Sequence, residues 1–289
     1  MIERKYITRY ARDSGVDELI AERDVVLTYL LHYIQGPLLS NLAFKGGTCL
    51  KKTYFGREGR FSMDLDFTSI EKTAQEVQQM CQDSIHGKTY LDIKFQIIDE
   101  NVKEESYLAS VKYQHTWNEG DFELNISCRE EPIFRLENIP IIEESFFKQT
   151  GLTSFAIPCL VKEELLSEKI RASYQRTRSR DLYDLYLFSA RPFNQEIVKK
   201  SVIIKFWNVH DLFDPKIYFE KISADMDFTE LESFVNPDKL PPINKMIKAI
   251  TQRYSFLKTI ETPLDEIRLD YRPHKKQAEI RKLLETMRN

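Results

Sequence analysis

The sequence predicts an α+β fold, with a mixed-sheet N-terminal half followed by a helical C-terminal half. Residues Arg60 to Thr68 alternate polar and apolar side chains with the two-residue period of a strand. Tyr107–His115 and Asp121–Cys128 are strand-like runs joined by the turn-rich Trp117-Asn118-Glu119-Gly120. From Val161 onward the apolar spacing is almost wholly helical. A chain of 289 residues is long enough for two domains, and the change of pattern divides it into residues 1–158 and 159–289.

The elements follow in order. Apolar positions from Val16 to Tyr33 have helical spacing that ends before Gly36, so a helix opens the fold. Leu42-Ala43-Phe44 reads as a short buried strand, Lys45-Gly46-Gly47-Thr48 as a tight turn, and Thr48 to Phe55 as a helix. On the strand from Arg60 to Thr68, Phe61, Met63, Leu65 and Phe67 take one face; Arg60, Ser62, Asp64 and Asp66 take the other. A helix from about Ile70 to Ile85 leads to a strand at Asp92–Ile98, then to the hairpin; Thr153–Ile157 adds a further strand. The helices expected beyond are Lys162–Tyr174, Arg180–Ser189, Asn194–Phe206, Ile243–Phe256 and His274–Met287.

Composition limits the class. With 42% hydrophobic and 30% charged residues the chain is globular, not disordered or fibrous. No stretch approaches the roughly 20 apolar residues that cross a bilayer, and no signal-peptide apolar region follows the N-terminus, so a cytoplasmic location is expected. Cys49, Cys81, Cys128 and Cys159 are widely spaced, which predicts reduced thiols and no zinc. The net charge of −3 hides an asymmetry: from residue 241 onward there are about 11 Lys/Arg against 6 Asp/Glu. A basic tail suits a nucleic-acid partner, and equally suits helices with solvated lysines.

Two carboxylates at i and i+2 on a strand point the same way, with Cβ atoms about 6–7 Å apart, and can share divalent cations. Asp64 and Asp66 have this spacing. Phe44-Lys45-Gly46-Gly47-Thr48 puts two glycines where a strand turns into a helix, which permits close backbone approach to phosphates. Either feature alone is common; a GG pair followed about 17 residues later by Ser62-Met63-Asp64-Leu65-Asp66 is much more specific.

These motifs resemble the polymerase β-like nucleotidyltransferase superfamily, and more narrowly its AbiEii/AbiGii toxin branch, which includes the MenT toxins. That branch also carries a later Lys and an RDxxD element, for which this chain offers Lys169 and Arg180-Asp181-Leu182-Tyr183-Asp184. The resemblance implies a polymerase β-like core. It implies that Gly46, Gly47, Thr48 and Ser62 help hold an NTP, that Asp64 and Asp66 bind Mg²⁺, that Lys169 neutralises phosphate charge and that Asp184 is a further polar group of the site. A third acid is expected on a later strand, as a further ligand of the Mg²⁺ site. Glu123 fits best, with Asp121 and Asn125 as neighbours on the same strand face; a shift of register would put Asn125 in the acidic position.

The residues themselves leave alternatives. Lys169 lies among Leu165, Leu166 and Ile170, so it needs an anionic reason to face inward, unless it sits on an exposed helix face. Asp181 and Asp184 fit either the site or ion pairs with Arg176, Arg178 or Arg180. Arg171, Arg176, Arg178 and Arg180 fit an RNA-backbone groove or internal salt bridges, and Tyr174 and Tyr183 fit base stacking or core packing. His32, His86, His115, His210 and His274 look isolated. The resemblance implies an RNA acceptor, the 3′ end of tRNA, with arrest of translation, a phage-defence setting and a cognate antitoxin. A small-molecule or protein acceptor, and an NTP-binding module without catalysis, are the other readings.

Overall fold

Two helices, α1 (Arg4–Ser14) and α2 (Glu18–Tyr33), open the chain where periodicity predicted one beginning at Val16. Gly15 separates them: at φ 67° it takes the left-handed conformation that ends α1, with its N–H on the carbonyls of Ala11 and Arg12. Asp17 then starts α2 by accepting a hydrogen bond from the Leu19 N–H at 2.8 Å. A computed structural model of the protein describes residues 2–36, 38–176, 178–223, 227–272 and 274–288. The chain divides into two compact units. One comprises Met1–Pro132, Leu136–Leu160 and Glu232–Lys239; the other comprises Ile133–Arg135, Val161–Leu231 and Leu240–Asn289.

The first unit is built on β1 (Leu42–Lys45), α3 (Gly46–Leu50), β2 (Asp64–Ser69), α4 (Ala74–Ser84), β3 (Thr89–Tyr90), β4 (Ile93–Lys103), β5 (Ser106–Gln114), β6 (Glu119–Ser127), β7 (Glu137–Pro140), α5 (Ser145–Thr150) and β8 (Ala156–Cys159). The strands form one sheet in the order β3-β4-β5-β6-β2-β1-β8-β7. β2 runs parallel to β6 and β1 parallel to β8, while the other pairs are antiparallel, so the sheet is mixed and the fold is α+β as predicted.

Register follows the apolar alternation. Leu65 lies opposite Leu124 and Phe67 opposite Ile126, and Phe67 meets Phe44 of β1 with ring centroids 5.2 Å apart. All of these side chains are buried. On β4 to β6 the buried face receives α4, whose Ala74, Val77 and Cys81 point inward at helical spacing. A reciprocal cap between Thr73 and Glu76 starts that helix.

Several boundaries differ from expectation. The strand expected from Arg60 begins only at Asp64, because the Phe61 N–H is taken by the Phe234 carbonyl at 2.8 Å rather than by a ladder partner. The helix after the glycines tightens into α3 and then widens into a π-turn over Lys51–Phe55. The last predicted strand lies three residues later, at β8, and pairs with β7, a short strand that ends in a proline and has no apolar run to announce it.

Beneath the π-turn lies a buried ion cluster. Lys52 donates to Asp24 at 2.9 Å and to the Thr28 hydroxyl at 2.6 Å, and the Tyr10 hydroxyl donates to Asp24 at 3.0 Å. Burial alone pushes the Asp24 carboxyl up, but Lys52, Lys51 and these hydrogen bonds outweigh it and hold Asp24 below the usual carboxylate range.

The second unit contains α6 (Lys162–Gln175), α7 (Ser179–Ser189), α8 (Gln195–Asn208), α9 (Pro215–Ser223), α10 (Thr229–Glu232, whose last residue belongs to the first unit), α11 (Ile243–Arg253), α12 (Leu264–Leu269) and α13 (Gln277–Arg288). α6 packs on α8 and α7 on α11, and Leu166, Ile170, Val198, Val202, Leu185 and Ile250 of these helices are buried. Lys205, fully buried, is balanced by Glu164 at 2.8 Å and Glu168 at 3.2 Å. His210 and His274, expected to be isolated, stack on each other at 3.7 Å, and His274 also stacks on Trp207. No helix among the described residues is long and apolar enough to cross a membrane.

Candidate active site

β2 occupies the middle of the sheet, and the polar face of its alternation carries Asp64 and Asp66. Parallel pairing with β6 sets Glu123 level with Asp64 and Asn125 level with Asp66, and side chains at aligned positions of neighbouring strands project from the same face. Asp121 lies beyond the end of the β2–β6 ladder, opposite Lys112 of β5. Asp64 and Asp66 are half-buried and Glu123 is exposed. The Asn125 amide donates to Asp66 Oδ1 at 3.3 Å, while its own Oδ1 is buried with no hydrogen-bond partner.

On the other side of β2 the antiparallel partner of Asp66 is Lys45, the last residue of β1, so a row Lys45–Asp66–Asn125 crosses three strands. The glycines follow at once. Gly46 takes φ 79°, and a Cβ there would fall 2.7 Å from Asp66 Cβ and 2.8 Å from its Cγ. A Cβ on Gly47 would come within 3.0 Å of Ser62 Oγ and of the Arg60 guanidinium carbon. The two glycines therefore let the turn close onto the carboxylate strand.

Ser62 and Arg60 are both buried at this turn, although alternation assigned them to the open polar face; the strand starts after them, so its period no longer governs their direction. Thr48, expected to contact nucleotide, is buried, and its hydroxyl donates to the Asp64 carbonyl at 2.5 Å, which ties α3 to β2. Lys45 beside Asp66, and the Arg60 guanidinium against Gly47, were not singled out from the sequence. Arg60 had a signal, since it shares the Ser62 and Asp64 spacing; Lys45 had none, because its place beside Asp66 depends on the β1–β2 register.

The candidates of the second unit form their own cluster. Lys169 on α6 lies 2.8 Å from Asp184 and 3.2 Å from Asp181, both on α7. Arg176 reaches the other oxygen of Asp181 at 2.9 Å. Lys169 is thus buried among carboxylates and not on an exposed helix face. The basic run reads differently in place: Arg171 donates to the Lys205 carbonyl at 2.8 Å and Arg180 pairs with Glu230 at 3.0 Å. Tyr174 and Tyr183 are buried, Tyr174 against Phe206 at 5.0 Å, so neither offers a face to a base.

The fold, which sets paired carboxylates beside a glycine turn, is that of a nucleotidyltransferase. Residues 29–277 match the family described as nucleotidyl transferase AbiEii toxin of type IV toxin–antitoxin systems, and the chain belongs to that family. Membership implies an NTP substrate and an antitoxin partner. Among solved structures it is similar to MenT4, a nucleotidyltransferase toxin from Mycobacterium tuberculosis H37Rv, at 20% identity and a TM-score of 0.85 over 100% of both chains. It is also similar to JHP933 from Helicobacter pylori, at 16% identity and a TM-score of 0.53, over 87% of this chain and 95% of that one. At these identities the likeness is one of fold. No curated protein matches the chain in sequence.

Proposed function

We propose that the protein transfers a nucleoside monophosphate from an NTP to the 3′ hydroxyl of an RNA, the acceptor end of a tRNA, releasing pyrophosphate and blocking translation as the toxin of its pair. The observation that carries the transfer chemistry is the placement of Asp64 and Asp66 on one face of a central strand with Gly46 closed against Asp66. The RNA acceptor rests on the family resemblance, not on the arginine run, whose members Arg171, Arg176 and Arg180 have internal partners.

The donor set suits Mg²⁺, a hard cation that takes oxygen ligands: two carboxylates, with the partnerless carbonyl oxygen of Asn125 alongside. Asp64 and Asp66 would hold the ion, which when bound offsets phosphate charge and lowers the barrier to attack at the α-phosphorus. Gly46, Gly47 and Ser62 let the triphosphate approach the backbone, with Thr48 holding the turn on β2. Glu123, level with Asp64 and open to solvent, would accept the proton of the attacking hydroxyl. The resemblance assigns Lys169 to the charge of the leaving pyrophosphate, with Asp181 and Asp184 fixing its ammonium.

The test is incubation of the protein and its Asp64→Ala variant with total bacterial RNA, Mg²⁺ and each α-labelled NTP in turn. Label on tRNA-sized RNA, lost in the variant, is the expected result and identifies the base. Label only on a small molecule or a protein overturns the RNA acceptor, and no label with any NTP overturns transfer.

A further inference from the structure

The third oxygen donor beside a strand carboxylate pair would ordinarily be an acid on the neighbouring strand, and here the residue level with Asp66 is an amide. Asn125 is half-buried between Asp66 on β2 and Leu108 on β5. Its Nδ2 donates to Asp66 Oδ1 at 3.3 Å and its Oδ1 is enclosed without a partner. A buried carbonyl oxygen that makes no hydrogen bond is an unmet acceptor, and native structures leave few of these without a role. Glu123, the acid on the same strand, is level with Asp64 and exposed, whereas the residue level with Asp66 is Asn125.

We propose that Asn125 is the third, uncharged ligand of the cation held by Asp64 and Asp66; this rests on the reading of those aspartates given above. A primary amide has two functions that differ by a half-turn of its terminal torsion. With Nδ2 toward Asp66 it holds that carboxylate in place without adding a third negative charge to the strand face. Turned over, it presents Oδ1 to a cation at the same carboxylate. An ionised acid performs only the second role, and without a cation it would repel Asp66. The amide thus keeps the empty site ordered but leaves it one charge short, so a divalent cation binds weakly until a triphosphate supplies the missing anionic oxygens.

The experiment is titration with Mn²⁺ alone, followed by the loss of its free-ion electron paramagnetic resonance signal, on the whole protein and its variants. Asn125→Asp adds the missing charge and should tighten nucleotide-free Mn²⁺ binding by about tenfold or more, while Asn125→Leu should weaken it by a similar factor. Unchanged affinity in Asn125→Asp overturns the assignment, and that variant keeps the side chain's shape if the leucine variant does not fold. Asp66→Ala losing Mn²⁺ while Asn125→Leu binds like the wild type overturns the role of Asn125 alone. Wild-type affinity in both Asp64→Ala and Asp66→Ala overturns the cation site itself.

Discussion

Lys169 holds its ammonium 2.8 Å from Asp184, and both side chains are more than nine-tenths buried. Asp181 joins them at 3.2 Å and passes its second oxygen to Arg176, so the RDxxD acids clamp the lysine. Removing the cation takes the Lys169 ion pair away from both buried carboxylates, while Asp181 keeps Arg176. Lys169→Met should lower the unfolding free energy by about 3–5 kcal/mol, whereas Asp184→Asn, which leaves Lys169 paired with Asp181, should cost less. Urea unfolding monitored by circular dichroism measures both. A methionine variant as stable as the wild type would show that the clamp contributes nothing to the fold and leave the lysine's charge to the reaction alone.

The two glycines of the turn differ, and their alanine variants should differ too. Gly46 combines a left-handed φ of 79° with direct contact on Asp66. Gly46→Ala should therefore cost about 1–2 kcal/mol from backbone strain and displace the carboxylate, with nucleotide transfer largely lost. Gly47→Ala meets the end of the buried Arg60 side chain and the Ser62 hydroxyl, but has no left-handed backbone to strain. It should retain more activity and more stability than the Gly46 variant. Equal effects in a paired comparison of transfer rate and Tm would contradict this account of the turn.

Much of this geometry was legible in the sequence, and the part that was not has a common cause. Alternation on Arg60–Thr68 and on Phe122–Ser127 placed Asp64, Asp66, Glu123 and Asn125 on polar faces, because a two-residue period is a local property. Which of Glu123 and Asn125 stands beside Asp66 depends on the β2–β6 register, a contact between segments almost 60 residues apart that no local pattern specifies. The same holds for Lys45 beside Asp66. Arg60 and Ser62 failed in another way: a backbone bond to Phe234 keeps that stretch out of the ladder, so the alternation was real and the strand was not. The arginine run and its tyrosines were indistinguishable from a nucleic-acid surface until Glu230, Asp181, the Lys205 carbonyl and Phe206 were seen to occupy them.

The carboxylate pair can be separated from the fold it sits on. Asp64 and Asp66 are half-buried on the open face, and substituting asparagine removes charge without removing volume. Asp64→Asn and Asp66→Asn should each lower nucleotide transfer at least about 100-fold with little change in Tm, since each relieves repulsion between neighbouring acids. Chelation of divalent ions should reproduce the loss in the wild type and be reversed by added Mg²⁺. A variant that loses activity and Tm together would instead mark its aspartate as structural.

Acid should expose a weakness at the buried Asp24–Lys52 pair. Asp24 is buried against Lys52, and its carboxyl is held below the usual range despite the cost of burial. A depressed folded-state pKa contributes stability that is fully present above the unfolded value of 3.8 and is lost as pH falls through the folded value. At neutral pH, Asp24→Asn leaves Lys52 buried without its anion and should cost about 3–5 kcal/mol. Between pH 7 and 5 the gap between wild type and variant should stay constant, because Asp24 is ionised in both the folded and the unfolded wild type. Below 3.8 the gap should close as the wild type loses its ion pair. Urea unfolding of both proteins across that range measures the gap directly; a gap that narrows already above pH 5 would assign the acid sensitivity to another group.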